Sequence, residues 1–98
     1  MSFDEFENSD AVAAVPQDQV VFTDLDGAEG VLVDLDTRKY YQLNETAALI
    51  WRGLEKHYSV EQIAGELATI YDVPPVQAAA SVARLIQNLS VHKLVRSS

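Results

Sequence analysis

The chain has 98 residues, which is room for one domain with one modest core and excludes a second independent fold. It contains no cysteine, which excludes disulfides, thiolate zinc sites and a cysteine nucleophile. The formal net charge is -8, and residues 1–37 carry ten acidic residues and no Lys or Arg, which excludes a nucleic-acid surface that covers the whole fold.

The first 18 residues are polar and acidic, and they follow neither strand nor helix periodicity. This composition predicts a mobile N-terminal arm over residues 1–18, to which no role is assigned. One domain is expected to follow over residues 19–95. The N-terminus lacks the basic and apolar pattern of a signal peptide, and the apolar stretches are only a few residues long. We therefore expect a cytoplasmic protein without a membrane partner.

Three antiparallel strands are predicted after the arm. Residues 20–23 are β-branched and aromatic, and turn-forming residues follow them. Residues 31–36 alternate with a period of two, which separates the apolar face of Val31, Val33 and Leu35 from the other face and indicates a sheet buried on one side. A turn at 36–38 leads to a third strand, in which residues 41 and 43 share a face.

Three amphipathic helices follow the strands. Asn44 is a preferred N-cap residue for a helix near 45–57, and Ser59 with Gln62 forms a capping-box pattern that starts the second. Pro74 and Pro75 separate the second helix from a third near 75–91. Strands grouped before helices predict an α+β fold: a three-stranded antiparallel sheet followed by three helices, similar to a winged helix-turn-helix.

Candidate catalytic chemistry is sparse in this sequence. His57 and His92 lie near predicted helix ends, where a structural role is expected. Residues 24–27 resemble the start of a calcium loop, but the remaining ligand spacing is missing. Asp34 and Asp36 would share a strand face, which leaves a metal-dependent enzyme as one alternative. We expect no catalytic residue, no metal site and no cofactor.

Binding surfaces are the other candidate. The segment 38–41 combines two basic and two tyrosine residues, and the predicted fold leaves a winged-helix DNA-binding regulator as an alternative. The third helix, however, has Arg84 as its only basic residue before Lys93, which offers few phosphate contacts. On the same helix Ala79, Ala83 and Ile86 share one flank, where small side chains would either form a shallow apolar groove or simply pack closely.

Several segments of the chain resemble the PqqD-like family, whose members are peptide-recognition domains of ribosomal peptide modification pathways. The segments are Gly-Val-Leu-Val-Asp-Leu-Asp at 30–36, Tyr-Tyr-Gln-Leu-Asn-Glu-Thr-Ala at 40–47 with Ile50 and Trp51, then 59–61 and 67–73. Within that family the chain looks most like the stand-alone leader-binding subunits of lasso-peptide biosynthesis. The resemblance implies a non-catalytic peptide chaperone that binds a precursor leader and presents it to a separate modifying enzyme or protease.

The resemblance also implies where the leader binds. It would pair as an extra strand with the third strand and lie against the third helix, which agrees with an exposed strand edge beside small side chains. Carried over by position, the leader-binding residues are Thr37, Arg38, Lys39, Tyr40, Tyr41 and Gln42 on the strand, and Val76, Ala79, Ala83, Ile86 and Gln87 on the helix.

Overall fold

The structure is a computed structural model and describes residues 13–96. Its strands are β1 (Val15–Pro16), β2 (Val20–Asp24), β3 (Gly30–Asp34), β4 (Lys39–Leu43) and β5 (Val95–Arg96). Strands β2, β3 and β4 form an antiparallel sheet in that order, and β1 pairs with β5 in a separate two-stranded ribbon. A short 3-10 helix, Asp26–Ala28, joins β2 to β3. The predicted three-stranded antiparallel sheet is confirmed.

Three helices follow the sheet: α1 (Glu45–Glu55), α2 (Val60–Tyr71) and α3 (Pro75–Val91). The side chain of Asn44 accepts a hydrogen bond from the Ala47 N–H at 2.8 Å and so caps α1, as predicted. Ser59 and Gln62 form both hydrogen bonds of the capping box at the start of α2. The predicted α+β fold class is confirmed. No helix among residues 13–96 is long and apolar enough to span a bilayer.

One face of the sheet packs against the helices. Phe22, Leu32 and Tyr41 lie side by side across β2, β3 and β4 on this inner face, where Leu32 is fully buried in the core. Period-two alternation therefore places the more apolar row of β3, which includes Val33, on the outer face. Composition alone predicts that the more apolar row of β3 faces the helices. The pairing of Leu32 with Phe22 and Tyr41 places the other row there instead.

The core is centred on α1. Trp51, Ile50 and Leu54 are among its largest fully buried side chains, and they pack with Leu32 from the sheet and Ile63 from α2. Burying side chains of this size contributes about 1.5–3 kcal/mol each to stability before entropy is subtracted. The sheet and the three helices thus share a single core.

Part of the predicted N-terminal arm is packed on the domain. Residues 1–12 of that arm lie outside the described residues. Ala14 is 3% exposed, and the Gln17 N–H donates a hydrogen bond to the Leu94 carbonyl at 3.0 Å. β1 pairs with β5, so the apolar residues Leu94 and Val95 that follow α3 are buried rather than forming a free tail. A contact between chain ends leaves no local periodic signal, which is why the sequence pattern does not show it.

Candidate functional site

A buried carboxylate organises the turn between β3 and β4. Asp34 is 3% exposed, and its Oδ1 accepts hydrogen bonds from the Asp36 N–H at 3.0 Å and the Thr37 N–H at 3.4 Å. The Arg38 N–H donates to the Asp34 carbonyl at 2.6 Å, and Arg38 takes a left-handed conformation with φ of 63°. Asp34 therefore has a structural role: it closes the turn and sets Lys39 opposite itself.

β4 lies at one edge of the sheet. Its inner neighbour is β3, and within residues 13–96 no further strand pairs with its other side. Hydrogen bonds beyond the strand ends, from Leu35 N–H to Gln19 O and from Leu25 N–H to Glu29 O, show that odd-numbered residues of β3 bond to β2. Even-numbered residues of β3 then bond to β4, through positions 39, 41 and 43. The backbone N–H and C=O groups of Tyr40 and Gln42 consequently point away from the sheet.

A groove adjoins the end of β4, where it meets α1 and α3. It consists of two neighbouring cavities, of about 360 and 180 Å³, that share Asn44, Ala47 and Leu85. The larger cavity is completed by Glu29, Gln42 and Leu43. The smaller one is completed by Thr46, Ile50, Ser81, Arg84 and Asn88. We call these two cavities together the β4–α3 groove.

The predicted strand residues are distributed over two surfaces. Gln42 lines the β4–α3 groove, whereas Tyr41 faces inward and its ring lies against that of His92 at the end of α3. Arg38 and Tyr40 point to the outer face, where they line a separate depression with Val33 and Leu35. The remaining two, Thr37 and Lys39, are exposed in and after the turn.

The predicted helix residues lie on a different flank of α3 from the groove. Leu85 is two positions from Ala83 and therefore points roughly 160° away from it around the helix. The groove is lined instead by Ser81, Arg84, Leu85 and Asn88, which share one face at i, i+3, i+4 and i+7. The other predicted residues, Val76, Ala79, Ile86 and Gln87, lie on the Ala83 side or away from the core. The i, i+3, i+7 spacing of Ser81, Arg84 and Asn88 in the sequence predicts that they share a face of α3. It does not predict which flank of the apolar stripe of α3 borders β4.

Metal and nucleic-acid chemistry were the alternative hypotheses. Within residues 13–96 no three His, Asp or Glu side chains are grouped closely enough to hold a metal ion. The expectation that Asp34 and Asp36 share a strand face is wrong: β3 ends at Asp34, whose Oδ1 accepts a hydrogen bond from the Asp36 N–H, and Asp36 is exposed in the turn that follows. Among the described residues of α3, Arg84 is the one basic side chain, so this helix offers few phosphate contacts and gives the DNA-binding alternative no support.

A three-stranded antiparallel sheet with an open edge strand, followed by three helices and a groove beside that edge, defines a class of small α+β module. The chain belongs to the PqqD family: the family model described as "Coenzyme PQQ synthesis protein D (PqqD)" matches residues 29–95. This confirms the family resemblance that the sequence segments indicate.

Two solved structures are similar to this chain. One is described as "TbiB1 in Complex with the TbiA(beta) Leader Peptide"; it is 26% identical, with a TM-score of 0.77 and coverage of 83% of this chain and 93% of that chain. The other is described as "Lasso peptide synthetase B1 complexed with the leader peptide"; it is 28% identical, with a TM-score of 0.77 and coverage of 85% and 96%. A comparison with curated protein sequences gave no significant match.

Proposed function

We propose that this protein binds the leader segment of a ribosomally made precursor peptide and presents the attached core peptide to separate modifying or processing enzymes. The leader adds as a strand to the open edge of β4 and lies over the β4–α3 groove. The observation that carries the proposal is the outward direction of the Tyr40 and Gln42 backbone groups at an edge strand. Two similar solved structures that hold leader peptides support it.

Recognition of the leader rests on two kinds of contact. Backbone hydrogen bonds to Tyr40 and Gln42 hold any extended segment, because every residue except proline offers the same donor and acceptor. Side chains that enter the groove beside Leu43 and Leu85 then discriminate between sequences. Affinity and selectivity thus come from different atoms.

The protein acts without catalysing a reaction itself. Holding the leader raises the effective concentration of the attached core peptide at an enzyme that binds both, which increases turnover without a reacting group on this chain. A leader-removing protease of a lasso-peptide pathway is the partner we propose, in line with the description of one similar structure as a lasso peptide synthetase component.

Proline substitution at the outward-facing positions tests the proposal. Tyr40→Pro and Gln42→Pro each remove an N–H donor from the open edge but none of the bonds between β3 and β4, so the fold is expected to survive. With a precursor leader peptide that the wild-type protein binds, calorimetric titration should show at least a roughly tenfold loss of affinity for each variant, since hydrogen bonds and close approach are lost together.

Tyr40→Ala is the matched control for Tyr40→Pro, because it removes a side chain that points to the outer face, away from the β4–α3 groove, and keeps the backbone donor. Its leader affinity should remain within about threefold of the wild type. Circular dichroism establishes that each variant is folded. A folded Gln42→Pro protein that binds the leader as tightly as the wild type would falsify strand addition at β4.

A further inference from the structure

The smaller cavity of the β4–α3 groove combines an apolar floor with a single charge. Ala47, Ile50 and Leu85 form the floor, where Ile50 is the most deeply buried of the three. Polar side chains from α1 and α3 surround the mouth: Asn44, Thr46, Ser81, Arg84 and Asn88. Arg84 is the one charged residue among the described residues that line this cavity.

The guanidinium of Arg84 is free to meet a ligand. Two other arginines have acidic partners: Arg52 forms an ion pair with Asp24, and Arg96 Nη1 lies 4.0 Å from Asp18 Oδ1. Arg84 is exposed and forms no ion pair within residues 13–96. An arginine in this situation binds a carboxylate well, because its planar group donates two parallel hydrogen bonds.

We propose that this cavity takes an acidic side chain of the bound leader, with Arg84 as its counter-charge, an inference that rests on the proposed function. The methylene groups of a glutamate fit the apolar floor beside Ile50 and Leu85, and its carboxylate meets Arg84 at the mouth. The site adds selection by charge to a cavity whose other lining residues are uncharged.

The neighbouring cavity makes the preference depend on position. Glu29 lines it, so an acidic leader side chain there meets a like charge. The chain also carries a net charge of -8, which disfavours acidic peptides in general. An acidic side chain is therefore favoured at the position that reaches Arg84 and disfavoured at the position that reaches Glu29.

A displayed library of random peptides tests this inference with the full chain as bait. Peptides whose capture is lost with the Gln42→Pro protein are those that bind the β4 edge. Among them, we expect enrichment of Asp or Glu at one position relative to the pairing segment. With the Arg84→Glu protein, the same position should change its preference to Lys or Arg.

Lys56→Glu is the matched control, because it makes the same charge change at the far end of α1. It should leave the positional preference as in the wild type. For one selected peptide, Glu→Gln replacement should weaken binding to the wild type about threefold to tenfold and have no effect on the Arg84→Gln protein.

The possible results separate this inference from the proposed function. Edge-binding peptides without an acidic position, or with one that Arg84→Glu leaves unchanged, overturn the inference and keep the proposed function. A library that yields no peptide dependent on the β4 edge overturns both.

Discussion

The rings of Tyr41 and His92 lie against each other, with centroids 5.3 Å apart and planes tilted by 51°. Tyr41 belongs to the edge strand β4, and His92 is the C-cap residue of α3. The contact therefore joins the two elements that border the proposed leader site. It holds the strand edge at a fixed distance from the end of the helix.

Removing this contact should weaken both the fold and leader binding. His92→Ala is expected to lower the free energy of unfolding by about 0.5–1.5 kcal/mol, the usual contribution of an aromatic pair. Leader affinity should fall as well, because β4 is less firmly positioned beside α3. Urea unfolding and calorimetric titration measure the two effects. His92→Phe keeps an aromatic ring at the same place and should retain most of both; equal losses in His92→Phe and His92→Ala would argue against the ring contact.

Two glycines within helices should respond oppositely to alanine. A Cβ at Gly53 would lie 2.7 Å from Ile63 Cγ1, so Gly53→Ala forces α1 and α2 apart and should cost about 1–3 kcal/mol of unfolding free energy. Gly65 is exposed on α2 with open space around its Cα, and Gly65→Ala should raise stability by up to about 1 kcal/mol. Thermal and urea unfolding of both variants check this. Similar shifts of the same sign in both would contradict close packing of α1 on α2 at Gly53.

Removing the buried carboxylate of Asp34 in the β3–β4 turn should lower stability more than removing the exposed carboxylate of Asp36. Asp34→Ala leaves the backbone N–H groups of Asp36 and Thr37 without their acceptor and should destabilise the protein by about 1–3 kcal/mol. Because the turn sets the register of β4, amide shifts of residues 39–43 should also change in NMR spectra. Asp36→Ala removes an exposed carboxylate and should change stability by less than about 0.5 kcal/mol. A comparable loss in the two variants would show that Asp34 does not organise the turn.

Local signals were sufficient for the three helices and for the three strands of the main sheet. The caps at Asn44 and Ser59 and the proline pair before α3 are short-range features, so they predicted where the helices begin. The prediction that residues 41 and 43 share a face of the third strand is also confirmed, because Leu43 lies in the core and Tyr41 packs against it. These features depend on neighbours within a few positions along the chain, which the sequence displays directly.

The position of the groove depended on long-range packing. The core stripe of α3 has two flanks. The predicted helix residues, carried over by position from the family resemblance, lie on the alanine-rich flank, where the sequence left both a groove and close packing open. In the structure the other flank, with Arg84 and Leu85, borders the end of β4. The angle at which α3 crosses the sheet makes this choice, and no local pattern encodes that angle.

The amino-acid sequence by itself determined the three strands of the sheet, the three helices, their order and the family, because caps, periodicity and motif spacing act over short distances. Only the tertiary structure decided which face of β3 is buried, that β1 closes against β5, and which side of α3 meets the strand edge. Each of these depends on contacts between residues far apart in the chain, such as Leu32 with Phe22 and Tyr41, or Tyr41 with His92. Their energies become apparent only when the whole core is assembled.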